Sequence, residues 1–379
     1  ISIILFDENN NFLNLSNKID IGSLLFRDHL QSNLSFNFKN KVILVTGGAG
    51  SIGTEITKQL IINEADSIII LDNSEYNLFQ LQNFISNLKA NHLFNTKIVI
   101  KLCDISNIEY VDSLLSNFKI DFVYHCAAYK HVPIVEENIF ISLKNNSFNT
   151  YSFLKYCLSK KIDNFTLISS DKAVRPTNIM GATKRLAELI CLFLNKTENV
   201  NTKVSIVRFG NVLESSGSVV PIFKNQILNG GPVTVSDPKI TRYFMSLEEA
   251  SLLVLESSIL AKSGEIYLLD MGEPIKILDL AKKMIRLSGK SIKSKFNPNG
   301  DIEIIFKGMK PGEKLYEELL IDNNSQKTKN NLIFQSIENQ INIELFRSLY
   351  SKIYISYEKS DYKTLFKLLN DKMIGYIGK

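Results

Sequence analysis

Six short runs rich in valine, isoleucine and aromatic residues alternate with longer segments of helical periodicity from residue 41 onward. The runs are KVILV, SIIILD, KIVIKL, DFVYHC, FTLISS and KVSIVRF. Each is almost continuously apolar, which indicates strands of a parallel sheet that is covered by helices on both faces. Because crossovers between parallel strands are right-handed, the favoured strand order is 3-2-1-4-5-6. The sequence therefore predicts an α/β fold with a doubly wound parallel sheet.

The composition narrows the class of protein. A chain of 379 residues with 45% hydrophobic content can bury a large core, and 44 basic against 39 acidic residues leave it mildly positive. No Lys/Arg run with interleaved aromatics marks a nucleic-acid surface. The cysteines are widely spaced and do not cluster with the histidines, so we expect no metal site and a reducing cytoplasmic setting. These cysteines are Cys103, Cys126, Cys157 and Cys191.

The alternation of apolar runs and helical segments changes after Phe209. Glycine and proline interrupt the stretches ESSGSVVPIF, NGGPVTVSDP, DMGEPIKI and GMKPGEKLYEE. Helical patterns near 246–261 and 276–288 lie between these stretches. We expect a smaller α/β substrate-binding unit interleaved with the large sheet. The expected division is an N-terminal extension 1–40, a cofactor-binding domain 41–210 with 236–262, a substrate-binding unit 211–235 with 263–321, and a C-terminal helical extension 322–379.

A glycine-rich turn, TGGAGSIG, directly follows the first strand. Glycines at 47, 50 and 53 allow the backbone to approach a pyrophosphate, and the helix that begins near Ser51 points its free N–H groups at the phosphates. Asp72 ends the second strand, where a carboxylate accepts hydrogen bonds from a ribose and repels a 2′-phosphate, which favours NAD over NADP. The alternatives are a glycine turn kept for packing and, for Asp72 and Asp104, a simple turn or cap. The predicted cofactor residues are Gly47, Gly50, Ser51, Ile52, Gly53, Asp72, Asp104, Ile105, Ala127, Ala128 and Lys184.

The segment SSDKAVRPTNIMGATK closes the fifth strand and opens a helix. Ser170, Asp171 and Lys172 should lie at the carboxyl edge of the sheet, where ligands bind in this architecture. Met180 and Lys184 are four residues apart and so share one helix face. An exposed Asp-Lys turn is the alternative, but the geometry aims all five side chains at one crevice.

At these residues the chain resembles the extended short-chain dehydrogenase/reductases with a Rossmann fold, and in particular the bacterial UDP-N-acetylglucosamine 4,6-dehydratases. The matching stretches include TGGAGSIG, DNSEYNL, HCAAYKHVP, ISSDKAVRPTNIMGATKRLAE, VRFGNVLESSGSVVPIFKNQI, GGPVTVSDPKITRYFM, LLDMGEPIKILDLAKKMI and PGEKLYEELL, which cover most of residues 41–320. Two positions depart from the family pattern. Ser170 stands where threonine is more frequent, and Glu214 stands where glycine is usual.

The resemblance implies an internal redox cycle. Hydride passes from the sugar C4 to NAD⁺, the resulting ketone makes the C5 proton removable, water leaves from C6, and the hydride returns to C6. By resemblance, Asp171 protonates the departing hydroxyl and Lys172 removes the C5 proton. These roles require a protonated acid and a neutral amine, and burial favours both of these states. We therefore expect a closed, dry pocket.

The position four residues before Lys184 holds Met180 where many members of the superfamily have a catalytic tyrosine. A thioether cannot accept a proton, so we hypothesise that Asp171, directly or through Ser170 or a water, accepts the C4 hydroxyl proton. The membrane-associated branch of the family has methionine here, which implies retention of configuration at C5. Lys184 is expected to hold the nicotinamide ribose, with a surface or helix-pairing role as the alternative.

Substrate recognition is predicted by resemblance, with cations for a diphosphate and Glu313 for ribose hydroxyls. Arg242 is the strongest of these candidates, and a packing role is the alternative for His131. The set is Lys130, His131, Asn211, Val219, Pro221, Lys224, Arg242, Lys310 and Glu313.

Three competing readings remain at this point: a C5-inverting dehydratase, a 4-epimerase, and a catalytically silent NAD-binding scaffold. The family also implies a homo-oligomer.

The opening ISIILF is too short for a membrane span, which takes about 20 apolar residues. The stretch KIDIGSLLFRD resembles the lead-in of the membrane-anchored branch, and the chain begins with Ile1 rather than methionine. We therefore expect a membrane portion upstream, and a catalytic part on the cytoplasmic face of the inner membrane.

Overall fold

The computed structural model describes residues 37–91, 94–198, 201–318, 325–338 and 341–378. The predicted extension 1–40 falls almost wholly outside these ranges, as does the stretch KIDIGSLLFRD. Among the described residues, no helix has the length and apolar content needed to cross a membrane.

The large sheet contains nine strands within the described ranges. Six are the strands that the apolar runs predict: β1 Val42–Thr46, β2 Ser67–Asp72, β3 Lys97–Leu102, β4 Phe122–His125, β5 Asn164–Ile168 and β6 Lys203–Arg208. They pair in parallel in the order β3-β2-β1-β4-β5-β6, so the predicted fold class and strand order are confirmed. This order places the carboxyl ends of β1 and β4 side by side at the switch point where ligands bind in such sheets.

Helices cover both faces of this sheet, which explains the continuous apolar character of its strands. The α-helices of the described residues are α1 Ser51–Ile62, α2 Glu75–Asn91, α3 Ile108–Leu115, α4 Val132–Glu137, α5 Ile139–Leu143, α6 Asn149–Ser159, α7 Ile179–Thr197, α8 Val219–Leu228, α9 Leu247–Leu260, α10 Ile277–Leu287, α11 Ile343–Glu358 and α12 Tyr362–Leu369. The core on one face joins α1, α2 and α9, and the core on the other joins α3, α6 and α7. Of these twelve helices, α8 and α10 lie outside the two layers and pack in the smaller unit described below.

A smaller unit is inserted after β6. Its strands are β7 Asn211–Val212, β8 Val233–Val235, β9 Thr241–Arg242, β10 Phe244–Met245, β12 Ile275–Lys276, β13 Ile292–Lys293 and β14 Ile302–Phe306. Here β8, β14 and β13 form one sheet, and α8 and α10 bury Phe223 and Met284 in a separate core beneath it. This unit stands beside the carboxyl ends of β5 and β6, so a cleft between it and the sheet is available for a ligand.

The remaining strands extend the large sheet. They are β11 Glu265–Leu269, β15 Ser325–Lys327 and β16 Ile333–Ser336. Strand β11 pairs with β6 in parallel, although the predicted division assigns it to the substrate-binding unit, and β16 pairs with β11 antiparallel. The region predicted as a helical extension thus also contributes two strands. The division of the chain into units stays a prediction.

The C-terminal helix α11 packs against the outer side of α6 and α7. The Tyr151 ring of α6 lies 5.1 Å from the Tyr350 ring, and the Phe193 ring of α7 lies 5.3 Å from the Phe346 ring, both measured between centroids. Helix α7 is consequently buried along almost its whole length. The homo-oligomer stays a prediction, and an assembly through this side of α6 and α7 would have to displace α11.

Candidate active site

The glycine-rich turn joins β1 to α1 and is closed by tight backbone packing. Gly47 has φ +62°, and a Cβ atom there would stand 2.6 Å from the Ala127 backbone. A Cβ on Gly53 would stand 2.5 Å from the Gly47 carbonyl oxygen. Both positions therefore require glycine, and the turn brings β1, β4 and the start of α1 together at the switch point.

A cavity of about 440 Å³ lies over this turn, and we call it the glycine-loop cavity. It is lined by every predicted cofactor residue except Lys184: Gly47, Gly50, Ser51, Ile52, Gly53, Asp72, Asp104, Ile105, Ala127 and Ala128. The Asp72 carboxylate accepts hydrogen bonds from the Ala49 and Ser74 amides at 3.1 and 2.9 Å. Asp104 accepts one from the Ser106 amide at 2.8 Å. Both carboxylates therefore stabilise turns, which is the alternative role considered for them, and both also line the glycine-loop cavity.

A second cavity of about 400 Å³ lies at the end of β5, and we call it the Lys172 cavity. Ser170, Lys172, Met180 and Lys184 line it, and the smaller unit supplies the opposite wall. The two cavities share wall residues, so they are neighbouring parts of one cleft. The shared residues are Ile52, Cys126, Ala128, Tyr129, Lys130 and Ser215.

Asp171 and Lys172 begin a single 3-10 turn, Asp171–Ala173, directly after β5. The Ser170 hydroxyl accepts a bond from the Lys172 amide at 3.2 Å and so caps this turn. The same hydroxyl donates to Asp171 Oδ1 at 2.8 Å, and Lys172 Nζ donates to that oxygen at 2.9 Å. Asp171 is fully buried and does not line the Lys172 cavity, whereas its two partners do. Ser170 and Lys172 therefore connect this carboxylate with the cleft.

The segment that follows Gly312 brings one carboxylate to Lys172 and two to Arg242. Glu317 Oε1 lies 3.8 Å from Lys172 Nζ and 3.7 Å from Arg242 Nε. Glu313 Oε1 lies 3.6 Å from a terminal nitrogen of Arg242. Glu317 was missed by the sequence analysis because nothing in KLYEELL distinguishes it from its neighbour Glu318. Burial distinguishes Glu317 from Glu318, and burial depends on the tertiary structure.

Burial and the neighbouring carboxylates act on the pKa of Lys172 in opposite directions. Burial alone would lower the pKa of its ammonium group, but the carboxylates of Asp171 and Glu317 outweigh burial and raise that pKa above the usual value. About a fifth of the Lys172 side chain, 18%, is exposed. The raised pKa favours the ammonium form of Lys172, so the closed pocket and the neutral amine at the start of elimination stay predictions.

Lys184 and Met180 lie one helical turn apart on α7 and both face the Lys172 cavity. Lys184 Nζ donates to the Ile168 carbonyl oxygen at 2.5 Å, which ties α7 to the end of β5. Burial lowers the pKa of Lys184 to about 8, against the smaller raising effect of Glu188. Met180, which stands in the sequence where the resemblance implies a tyrosine, is 4% exposed.

The predicted substrate residues divide into two groups. Those that line the Lys172 cavity are Lys130, Asn211, Val219, Arg242 and Glu313, and His131 lines the glycine-loop cavity. Asn211 is held in place by Lys172 Nζ, which donates to its Oδ1 at 3.1 Å. The residues that line neither cavity are Pro221, Lys224 and Lys310. Arg242 also donates to the Thr241 carbonyl at 2.7 Å, so the protein itself fixes its orientation.

Glu214 lies in the loop between β7 and α8 that separates the two cavities. Its φ is +60°, in the left-handed region that favours glycine. Glu214, which stands where the family usually has glycine, therefore adopts a backbone conformation that is strained for any residue with a side chain. In the same loop, the Ser216 amide donates to Ser51 Oγ at 3.1 Å, so the loop reaches the glycine-rich turn.

A buried ionic network supports the site from behind, and the sequence analysis did not find it. Glu188 of α7 accepts hydrogen bonds from Ser169 Oγ at 2.6 Å, from Arg208 at 2.6 and 2.7 Å, and from Arg185 at 3.0 Å. Glu338 also pairs with both arginines. The network joins the ends of β5 and β6 to α7, and so fixes the segment that carries the catalytic candidates.

The fold and the two-part cleft define an α/β protein with a dinucleotide-type turn and a polar site at the end of β5. The chain belongs to the family described as polysaccharide biosynthesis protein, whose model matches residues 43–338.

Among curated relatives, the capsular polysaccharide biosynthesis protein CapD of Staphylococcus aureus is 44% identical over 81% of this chain and 50% of its own length. A UDP-N-acetylglucosamine 4,6-dehydratase (inverting) of Campylobacter jejuni is 32% identical over 77% of this chain and 80% of its own length. The chain spans about half the length of the first curated relatives it matches.

Two solved structures have a similar fold. The X-ray structure of Pen from Bacillus thuringiensis has a TM-score of 0.69 and 34% identity, and it covers 81% of this chain and 90% of that one. The enzyme WbmF from Bordetella bronchiseptica, solved in complex with NAD+, has a TM-score of 0.55 and 19% identity over 66% of this chain and 79% of that one. The second likeness concerns the fold alone.

Proposed function

We propose that this protein is an NAD-dependent nucleotide-sugar 4,6-dehydratase that acts on UDP-N-acetylglucosamine and retains configuration at C5. The observation that carries the proposal is the hydrogen-bonded chain from the Lys172 cavity into Asp171, formed by Ser170 and Lys172. A relative with this activity, in its inverting form, aligns over most of the chain. The product would serve the synthesis of a surface polysaccharide or glycoprotein.

The glycine-loop cavity fits NAD. Gly47 and Gly53 leave no room for side chains, the start of α1 offers free amides for a diphosphate, and Asp72 faces the region of a ribose. Lys184 faces the neighbouring Lys172 cavity, where the nicotinamide end would lie. The chemistry that bound NAD supplies is reversible acceptance of a hydride from the sugar.

The residues of this chain supply the proton transfers. The Ser170 hydroxyl receives the C4 hydroxyl proton and passes its own proton to Asp171, because the two oxygens are already hydrogen-bonded at 2.8 Å. Lys172 first releases its own proton to solvent in the cavity that it lines, and in its neutral form it then takes the C5 proton, while the electrons of the broken C–H bond form the C5–C6 double bond. The C6–O bond breaks as Ser170 returns a proton from Asp171 to the departing oxygen, and water leaves.

Asp171 has no direct access to the cavity, so the hydroxyl of Ser170 is the sharpest test of this proton path. We expect Ser170→Ala to slow formation of the C4 ketone by about 100-fold or more, in the range typical of general acid–base catalysis. Ser170→Thr, which keeps the hydroxyl, is the matched control and should retain most of the activity. Asp171→Asn should be as slow as Ser170→Ala, and its formation of the ketone at the wild-type rate would remove Asp171 from the first step.

Turnover with UDP-N-acetylglucosamine and mass analysis of the product tests the reaction type. Loss of one water supports dehydration, an unchanged mass with an altered sugar supports a 4-epimerase, and no reaction supports a silent scaffold. In D₂O the dehydration should place one deuterium at C5, and the configuration at that carbon separates retention from inversion. Met180 at the phenol position is the basis for expecting retention.

A further inference from the structure

A five-residue loop, residues 174–178, joins the 3-10 turn that carries Lys172 to helix α7. Its backbone is strained, since Arg175 has φ +43°, in the left-handed region that residues with a side chain rarely adopt. Val174, which precedes it, is completely buried. Strained backbone persists only where the surrounding structure holds it, and such strain is concentrated at functional sites. The contacts that hold this loop are therefore candidates for a role in the reaction.

The segment that follows Gly312 packs on this loop. Lys314 Nζ donates a hydrogen bond to the Val174 carbonyl oxygen at 2.9 Å, and only 12% of the Lys314 side chain is exposed. Arg175 pairs with Glu318 at 2.8 Å, but both of these side chains are exposed enough that their ion pair contributes little. Hydrogen bonds from charged donors are about twice as strong as neutral ones. The ammonium group of Lys314 is therefore the stronger of these two attachments.

The two ends of the 3-10 turn are held from different directions. At its start, the Asp171 amide donates to the Phe209 carbonyl oxygen at 3.1 Å, which ties Asp171 to the chain just after β6. At its end, the Val174 amide donates to the Asp171 carbonyl oxygen at 3.0 Å, and the Val174 carbonyl is the group that Lys314 binds. Asp171 is thus fixed by the large sheet itself. The backbone of Lys172 lies between that attachment and the one that Lys314 provides.

We propose that Lys314 is a positioning residue that holds the 174–178 loop and so keeps Lys172 within reach of the C5 proton of the substrate. This inference rests on the proposed dehydration. Lys314 lines neither the glycine-loop cavity nor the Lys172 cavity, so its effect on the reaction is indirect. Displacement of a catalytic group by about 1 Å slows a reaction by about 100-fold. Formation of the C4 ketone depends less on Lys314, because Asp171 stays attached to the end of β6.

Lys314→Met tests the inference, because methionine has a similar length but neither a donor nor a charge. We expect kcat to fall by about 10- to 100-fold. In a single turnover with UDP-N-acetylglucosamine, the 4-keto sugar and the ultraviolet absorbance of reduced nicotinamide should accumulate, because removal of the C5 proton slows more than formation of the ketone. Lys314→Arg keeps a charged donor and should restore most of the rate. Glu318→Gln is the matched control: it removes the carboxylate 3.5 Å from Lys314 Nζ but leaves the bond to Val174, so it should react as the wild type does.

Amide hydrogen exchange of the whole chain, followed by mass spectrometry, measures the loop without turnover. Peptides that contain residues 172–178 should exchange faster in Lys314→Met than in the wild type, while peptides from the large sheet should not change. Equal slowing of ketone formation and elimination, unchanged exchange of the loop, or a loss that Lys314→Arg does not restore would each overturn the proposal. A shifted pH profile with no selective loss of elimination would give Lys314 an electrostatic role and overturn it as well. If the wild-type protein forms no dehydrated product while the loop of Lys314→Met exchanges faster, the proposed function fails and the attachment of the loop by Lys314 stands.

Discussion

Replacing Glu188 by glutamine should destabilise the protein strongly, because this carboxylate neutralises a fully buried arginine. Glu188 and Arg208 are both 0% exposed and form a two-pronged ion pair, with N–O distances of 2.6 and 2.7 Å. Glutamine keeps the size of the side chain but leaves Arg208 with only the partly exposed Glu338. Removing one partner of a buried ion pair costs about 3 to 5 kcal/mol.

The pKa of Glu188 indicates a stabilisation of the same sign. Burial would raise this pKa, but Arg208 and Arg185 outweigh burial and lower it from 4.5 to about 2. Because the folded-state pKa is the lower one, this stabilisation is complete above pH 4.5 and is lost as the pH falls from there towards 2.

Urea unfolding at pH 7 provides the assay, with Glu338→Gln as the control. Glu338 touches the same arginines, but 13% of its side chain is exposed and Glu188 remains in place, so we expect a loss of only about 1 kcal/mol. Combining Glu188→Gln with Arg208→Met should recover part of the stability, since no buried charge is then left uncompensated. A loss below about 1 kcal/mol in Glu188→Gln, or a double variant less stable than the single one, would refute the reasoning.

Two further outcomes follow from backbone geometry. Glu214→Gly should raise the free energy of unfolding by about 0.5 to 1 kcal/mol relative to both the wild-type protein and Glu214→Ala, because only glycine adopts a φ of +60° without strain. Equal urea midpoints for the glycine and alanine variants would contradict this. Gly47→Ala should weaken NAD binding in calorimetry by about 10- to 100-fold, since its Cβ would stand 2.6 Å from the Ala127 backbone. The control Gly289→Ala has a similar φ of +70° but open space around it, so it should bind NAD normally; equal losses in both variants would show that the effect is not local.

The sequence predicts the large sheet well because its signals are local. Continuous apolar runs predict buried parallel strands, and right-handed crossovers then leave few strand orders. The glycine turn is equally local, since its spacing, strand and helix are adjacent in the chain. The smaller unit is harder to predict. Its strands are two to five residues long, and their pairing partners lie far away in the chain, as β8 and β14 show.

The electrostatics of the site could be predicted only in part. The position of SSDK at the end of a strand predicts a buried Lys172, and burial lowers its pKa. The carboxylates that raise this pKa are Asp171, which is adjacent in the chain and has the larger effect, and Glu317, which is 145 residues away in the chain and lies 3.8 Å from Lys172 Nζ. Adjacent glutamates in KLYEELL have identical chemistry, so only the tertiary structure shows which of them faces the lysine.

The structure also changes the argument about Met180. Retention of Lys184 four residues later supports activity only if that lysine serves the reaction, yet Lys184 donates to the Ile168 carbonyl and so also holds α7 against the end of β5. A decayed enzyme would keep a lysine with that structural role. The Ser170 hydroxyl is different, because it leads from the cavity to a fully buried carboxylate with an unsatisfied oxygen. A buried carboxylate oxygen without a hydrogen-bond partner, such as Asp171 Oδ2, costs stability, and a silent scaffold has no use for that cost. The case for catalysis without a tyrosine therefore depends on Ser170 and Asp171, and not on Lys184.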